Sequence, residues 1–172
     1  LFMSFTPFNP LRFNFLYKDY SKNGLTDMGW EIYPEGLEQI LRKTHFFADR
    51  YENIYVDINT IKELKAIINR ARQFAAEILD KDVNDLKIGF WINIMHQGHT
   101  TSLHCHEDVD ELLSGVYYAK VPEHSASFIY HLDGEKHSLA PEQGSFLFFS
   151  PSLLHEVEEH QAEESRISIA FN

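Results

Sequence analysis

The chain has 172 residues, of which 44% are hydrophobic and 24% charged, a length and balance that suit one globular domain with a core of ordinary size. Its formal net charge of −11 argues against a nucleic-acid partner, because phosphate-backbone binding begins with a basic surface. A single Cys excludes an internal disulfide, no apolar run reaches membrane-spanning length, and Leu1-Phe2-Met3-Ser4-Phe5 lacks the basic start of a signal peptide, so a reducing cytoplasm and no membrane are expected.

In the first 30 residues, Phe2, Phe5, Phe8, Phe13, Phe15, Tyr17 and Tyr20 are expected to pack over a sheet and in part to cover a site. Pro34 to about Arg50 and Asn59 to about Leu79 read as helices. In the second stretch Ile61, Leu64, Ile67, Ile68, Ala71, Phe74, Ala75 and Ile78 recur near a 3.6-residue period, and Asp57 or Asn59 can cap its start. From Lys87 the pattern changes to short β-branched and aromatic runs divided by Gly, Pro and acidic turns. The expected strands are Ile88–Met95, Leu112–Val121, Ser127–His131, Ser145–Phe149, His155–Val157 and Arg166–Phe171. The fold class is therefore mainly β with N-terminal helices: residues 1–86 form a helical and covering segment, and 87–172 an antiparallel barrel or sandwich.

His104-Cys105-His106 carries the chemistry. Imidazoles at i and i+2 on an extended segment face one side and can grip one metal ion. His155, on a later strand, can complete a facial set of three ligands that leaves other coordination positions open. Cys105 alternates away from both and suits outer-face packing. The carboxylates of Glu107, Asp108, Asp110 and Glu111, and those between Glu156 and Glu164, read either as solvated loops or as an acidic rim that discourages anionic substrates.

The last strand adds a separate demand. Alternation in Arg166-Ile167-Ser168-Ile169-Ala170-Phe171 puts Ile167, Ile169 and Phe171 on one face, toward the helices, and Arg166, Ser168 and Ala170 on the other. In a closed barrel Arg166 would point inward, where an unpaired guanidinium is costly and a bidentate carboxylate offsets that cost. The carboxylate can be an anionic ligand, or it can be Glu163 or Glu164.

These residues resemble the barrel-fold superfamily of Fe(II)- and 2-oxoglutarate-dependent oxygenases, with its His-x-Asp/Glu pair, distal His and an Arg about ten residues later in an Arg-x-Ser form. Here His155 and Arg166 are eleven positions apart. The wording of residues 88–172 is similar to a small group of such oxygenases from marine bacteria and their phages, in Trp91-Ile92-Asn93-Ile94-Met95, Leu113-Ser114-Gly115-Val116-Tyr117-Tyr118, Pro151-Ser152-Leu153-Leu154-His155-Glu156-Val157 and Arg166 to Asn172. The resemblance implies a double-stranded β-helix (jelly-roll) barrel, Fe(II), 2-oxoglutarate as co-substrate, O2, and hydroxylation of a small-molecule or peptide substrate that the sequence does not name. It further implies metal ligands His104, His106 and His155, with Arg166 and Ser168 on the far carboxylate of 2-oxoglutarate and Tyr118 and Asn93 beside it. The family's usual acid stands where this chain has His106, so Glu107, Asp108 or Glu111 is an alternative ligand.

A second resemblance competes. Gly98, His104-x-His106 and Glu111 fit the first metal motif of the cupins, although Gly115 comes too early and Pro141-x-x-Gly144 lies too far before His155. A cupin-type dioxygenase or isomerase, or a non-catalytic metal-binding barrel, would use the same His residues and have no need of Arg166. His96 and His99, on the loop before the His pair, are candidates for substrate contact. His45, His124, His131, His137 and His160 carry no signal, and the pattern leaves the oligomeric state open.

Overall fold

A computed structural model describes residues 3–5, 42–47, 50–59, 62–107 and 110–172. Strands β1 (Met3–Phe5), β2 (Arg42–Phe47), β3 (Arg50–Tyr55), β4 (Phe90–Met95), β5 (Thr101–His104), β6 (Ser114–Lys120), β7 (Phe128–Leu132), β8 (Glu135–Leu139), β9 (Phe146–Phe149), β10 (His155–Val157) and β11 (Arg166–Phe171) are joined among the described residues by the α-helix α1 (Lys62–Leu79) and a 3-10 turn at Val83–Asp85. They form a seven-stranded sheet in the order β1-β9-β6-β11-β4-β3-β2 and a four-stranded sheet in the order β5-β10-β7-β8. All of the pairings are antiparallel.

The amphipathic period expected for α1 is what seats it. Leu64, Ile67, Ile68 and Ala71 pack with Tyr117, Ala119, Phe146, Phe148, Ile169 and Phe171 from the large sheet; each fully buried side chain of this size contributes roughly 1.5–3 kcal/mol. Before the helix, the Asp57 carboxylate accepts from the Asn59 backbone N–H at 2.8 Å. After it, Asp80 turns to φ 52° and the Lys81 N–H returns to the Ala76 carbonyl at 3.0 Å, a left-handed helix stop.

Strand alternation gives the large sheet two uses. Tyr117, Phe146, Phe148, Ile169 and Phe171 face the helix, while Val116, Tyr118, Leu147 and Phe149 join Phe128 of the small sheet in a second cluster. At Gly115 the close approach of strands leaves no room for a side chain: a Cβ there would meet the Phe171 ring and the Leu147 carbonyl. The space between the sheets is where Arg166, Ser168 and the inner face of β4 also point.

Several expectations are corrected. The stretch from Pro34 to Arg50 is not a helix where it is described, because residues 42–47 and 50–55 form the β2–β3 hairpin, docked on β4 through Ile54 opposite Ile92; residues 34–41 lie outside the described residues. The segment 1–86 therefore supplies three strands as well as a helix. The aromatics assigned to a covering role before residue 30 also fall outside the described side chains. Strand β8 was not expected, and the extended segment expected through His104 and His106 is β5, which ends at His104. The barrel is not closed either: among the described residues the two sheets face each other as a sandwich, with no ladder between them.

Candidate metal and co-substrate site

Antiparallel pairing of β10 with β5 sets His155 directly opposite His104, and opposed residues on a ladder carry neighbouring side chains. Their ring centroids are 4.3 Å apart. The strand ends at His104, so simple alternation does not place His106; its N–H donates to the Pro151 carbonyl at 2.8 Å, which holds it beside the small sheet. Its ring lies 4.9 Å from His104 and 5.0 Å from His155. One nitrogen from each of the three lies within 4.8 Å of the others.

Backbone contacts orient two of these rings. The Nδ1 of His104 is 2.7 Å from the Ser102 carbonyl, and that of His155 is 2.8 Å from the Leu153 carbonyl. A carbonyl only accepts, so both Nδ1 atoms carry a proton, which leaves Nε2 of each ring as the nitrogen for ligation, the arrangement of a metal-ligating His with an outer-shell carbonyl. Phe128 stacks on His155 at 5.2 Å, Phe149 meets it edge-on at 4.8 Å, and Trp91 lies 5.6 Å from His106. Burial in this apolar setting pushes the His155 pKa down to about 4; the Leu153 carbonyl acts in the opposite sense, and His104 and His106 lower it further. At neutral pH the ring is uncharged.

No carboxylate enters the trio among the described residues. Glu107 is exposed, Glu111 lines a different cavity, and Asp108 lies outside the described residues. Cys105 is exposed.

Arg166 occupies the facing wall. It is 2% exposed with no ion pair among the described residues; its Nη1 donates to Met95 Sδ at 3.1 Å, a weak acceptor, and its Cζ lies 5.2 Å from the Tyr118 ring centroid. Among the described residues the buried Arg166 Nε and Tyr118 hydroxyl make no well-formed hydrogen bond, and the polar neighbour each of them feels is the other. Burial lowers the Arg166 pKa and raises that of Tyr118, with each group acting on the other in the opposite sense. Glu164, one of the two acids considered as its partner, pairs with Lys120 at 2.7 Å instead. Ser168, 5% exposed, has Asn93 opposite it on one side and Tyr118 on the other. Arg166, Ser168, Tyr118 and Asn93 thus share the inner face of three adjacent strands.

His96 and His99 stay outside the trio, in a turn where the His96 N–H donates to His99 Nδ1 at 3.2 Å. His160, which gave no signal in the sequence, is fully buried. Its Nε2–H donates to the Glu164 carbonyl at 2.7 Å, its Nδ1 accepts from the Ala126 N–H at 3.4 Å, and its backbone bonds to Gly98 and His99. It ties the loop that leads into Arg166 to two neighbouring loops, and nothing local in Glu159-His160-Gln161 announces that role.

Residues 130–172 match a family model described as "Putative 2OG-Fe(II) oxygenase"; the match spans His155, Arg166 and Ser168. A comparison with curated proteins found no match. Among solved structures, an oxidoreductase of the 2OG-Fe(II) oxygenase family from Burkholderia pseudomallei is 16% identical, with 99% of this chain and 82% of that one covered at a TM-score of 0.61. A Pseudomonas putida prolyl-4-hydroxylase is 15% identical, covering 99% and 90% at 0.61. The viral collagen prolyl hydroxylase of Paramecium Bursaria Chlorella virus-1, solved as a 2OG complex, is 15% identical, covering 99% and 93% at 0.57. At such identities the likeness concerns the fold, and the two facing sheets are a double-stranded β-helix.

Proposed function

We propose that this chain is an Fe(II)- and 2-oxoglutarate-dependent oxygenase that hydroxylates a C–H bond. The observation that carries the proposal is Arg166: a guanidinium buried between two sheets, without a carboxylate among the described residues, across from three converging imidazoles. Both halves fit the groups in question. Three rings, two with Nε2 left for ligation by backbone carbonyls at Nδ1, suit a divalent first-row metal. The buried Arg166 Nε and Tyr118 hydroxyl suit a carboxylate, which accepts from both. Residues 130–172 matching a 2OG-Fe(II) oxygenase family model supports the same assignment. A cupin-type enzyme or a bare metal-binding barrel has no use for Arg166 and is not favoured.

In this assignment His104, His106 and His155 hold the iron, and Arg166 with Ser168 takes the far carboxylate of 2-oxoglutarate while Tyr118 and Asn93 flank it. Bound iron with 2-oxoglutarate supplies the oxidising power, one oxygen atom of O2 entering succinate as CO2 leaves and the other entering the substrate as a hydroxyl. The protein's own residues orient and exclude. Phe128, Phe149 and Trp91 keep water from the imidazoles, and the Tyr118 face under Arg166 holds the guanidinium plane. With three imidazoles and no acid among the described ligands, charge balance at the metal falls to the co-substrate.

We read the 172 residues as one domain, acting on a small molecule or a peptide in a reducing compartment, and place it near the marine bacterial and phage group that residues 88–172 resemble. Among the described residues no helix is long and apolar enough to cross a membrane. The assignment is tested by succinate release: iron-loaded protein with 2-oxoglutarate and O2 but no primary substrate is expected to form succinate slowly, and omission of iron or O2 abolishes it. Release that ignores iron would refute the assignment.

A further inference from the structure

Arg166 and Met95 are the last pair of the β11–β4 ladder, and the ends of ladders open most easily. A buried guanidinium at such a place gains by swinging out to water or onto a carboxylate of its own chain, and Glu163 and Glu164 stand just before it in the sequence. Ties on both sides of the pair oppose this movement, and both come from His160, which is not one of the metal trio. On the β4 side, the His160 carbonyl accepts from the Gly98 N–H at 2.8 Å and its own N–H donates to the His99 carbonyl at 2.9 Å. The chain leaving Met95 is therefore fixed almost as soon as the ladder ends. On the β11 side, the His160 ring donates through Nε2–H to the Glu164 carbonyl at 2.7 Å, just before Arg166.

The ring that makes this tie is fully buried, and its second nitrogen is also committed, because Nδ1 accepts from the Ala126 N–H at 3.4 Å. Neighbouring bonds act in the same sense. Gln97 Nε2 donates to the Gln161 carbonyl at 3.1 Å, and the Glu158 N–H to the Ser127 carbonyl at 3.2 Å. Residues 158–165, which join the strand of His155 to the strand of Arg166, are thus laced to the loop that precedes the strand of His104 and to the loop that precedes β7. Glu164 is held at two points: its carbonyl on His160, and its carboxylate on Lys120 at 2.7 Å. With that carboxylate engaged at the end of β6, Arg166 keeps no ion pair among the described residues.

We propose that His160 is a positioning residue for the co-substrate: together with Lys120 it holds Glu164 in place and keeps Arg166 buried and unneutralised, so that the far carboxylate of 2-oxoglutarate, and not Glu163 or Glu164, takes the guanidinium. The inference rests on the oxygenase assignment. Anaerobic calorimetry on the iron-loaded protein compares 2-oxoglutarate with 2-oxopentanoate, which has the same keto acid head and a methyl group in place of the far carboxylate. His160→Phe, which keeps a ring but can make neither ring hydrogen bond, is expected to weaken 2-oxoglutarate about tenfold or more, while the affinities for 2-oxopentanoate and for iron change by less than about threefold. His160→Gln, whose amide N–H can donate to the Glu164 carbonyl, should recover part of the loss. Lys120→Met releases the Glu164 carboxylate without entering the buried loop, should weaken 2-oxoglutarate in the same selective way, and decides the matter if the Phe variant does not fold. Equal weakening of the two keto acids would make His160 a general support of the fold and overturn the proposal, as would a Gln variant no better than the Phe variant. A wild type that does not bind 2-oxoglutarate on iron loses the oxygenase assignment and this inference with it, whereas a wild-type preference for 2-oxoglutarate that survives in the variants removes only this inference.

Discussion

Arg166→Ala is expected to weaken 2-oxoglutarate binding by roughly 2–5 kcal/mol, the cost of truncating one partner of a buried charge pair, while iron affinity stays nearly unchanged. The separation follows from position. Arg166 sits on β11 against Met95 and Tyr118, and the imidazoles belong to β5, β10 and the turn after β5. Arg166→Lys should recover only part of the loss, because an ammonium cannot reproduce the planar two-bond geometry of a guanidinium on a carboxylate. Titration of each variant by calorimetry, with thermal melting to confirm the fold, reads both effects. A co-substrate affinity that survives Arg166→Ala would return the cupin alternative to first place.

His155→Ala is expected to lower iron affinity by more than about 100-fold, beyond what loss of an outer-shell partner costs. His155 is the most buried ring of the trio, directly opposite His104. The same residue gives the metal-free protein a pH dependence. Burial holds its folded-state pKa near 4 against an ordinary 6.5, so between these values the unfolded chain binds a proton that the folded chain refuses. Stability is full above about pH 6.5 and is lost progressively as the pH falls toward 4, by about 3 kcal/mol in all. Denaturant titrations of metal-free wild type between pH 7 and 4 should show this loss, and His155→Phe, which keeps a ring without the titrating nitrogen, should reduce it.

Legibility in the sequence followed local periodicity. The 3.6-residue pattern located α1 to within a few residues, and the alternation in Arg166–Phe171 sorted that strand's two faces correctly, because both signals record which side meets the core. Strand β8 escaped notice because Glu135-Lys136-His137-Ser138-Leu139 is a polar edge strand with little to bury. The usable signal was the turn, Asp133-Gly134, where both residues have positive φ, as a two-residue hairpin requires. The β2–β3 hairpin was misread for a tertiary reason: its place depends on docking against β4, and short mixed runs such as Arg42–Phe47 carry no decisive period. His104 and His155 could be paired from strand positions alone. His106 could not, since it lies past the end of β5 and is held by the Pro151 carbonyl. The aromatic walls were legible as core but not as the lining of a site.

Anaerobic titration of the iron-loaded protein with 2-oxoglutarate tests the oxygenase assignment most directly. A weak visible charge-transfer band, typical of a keto acid chelating Fe(II), is expected to grow to saturation at one equivalent, to need far more 2-oxoglutarate in Arg166→Ala, and to be absent in His155→Ala. Iron that binds to the wild-type trio without producing this band at any 2-oxoglutarate concentration would contradict it.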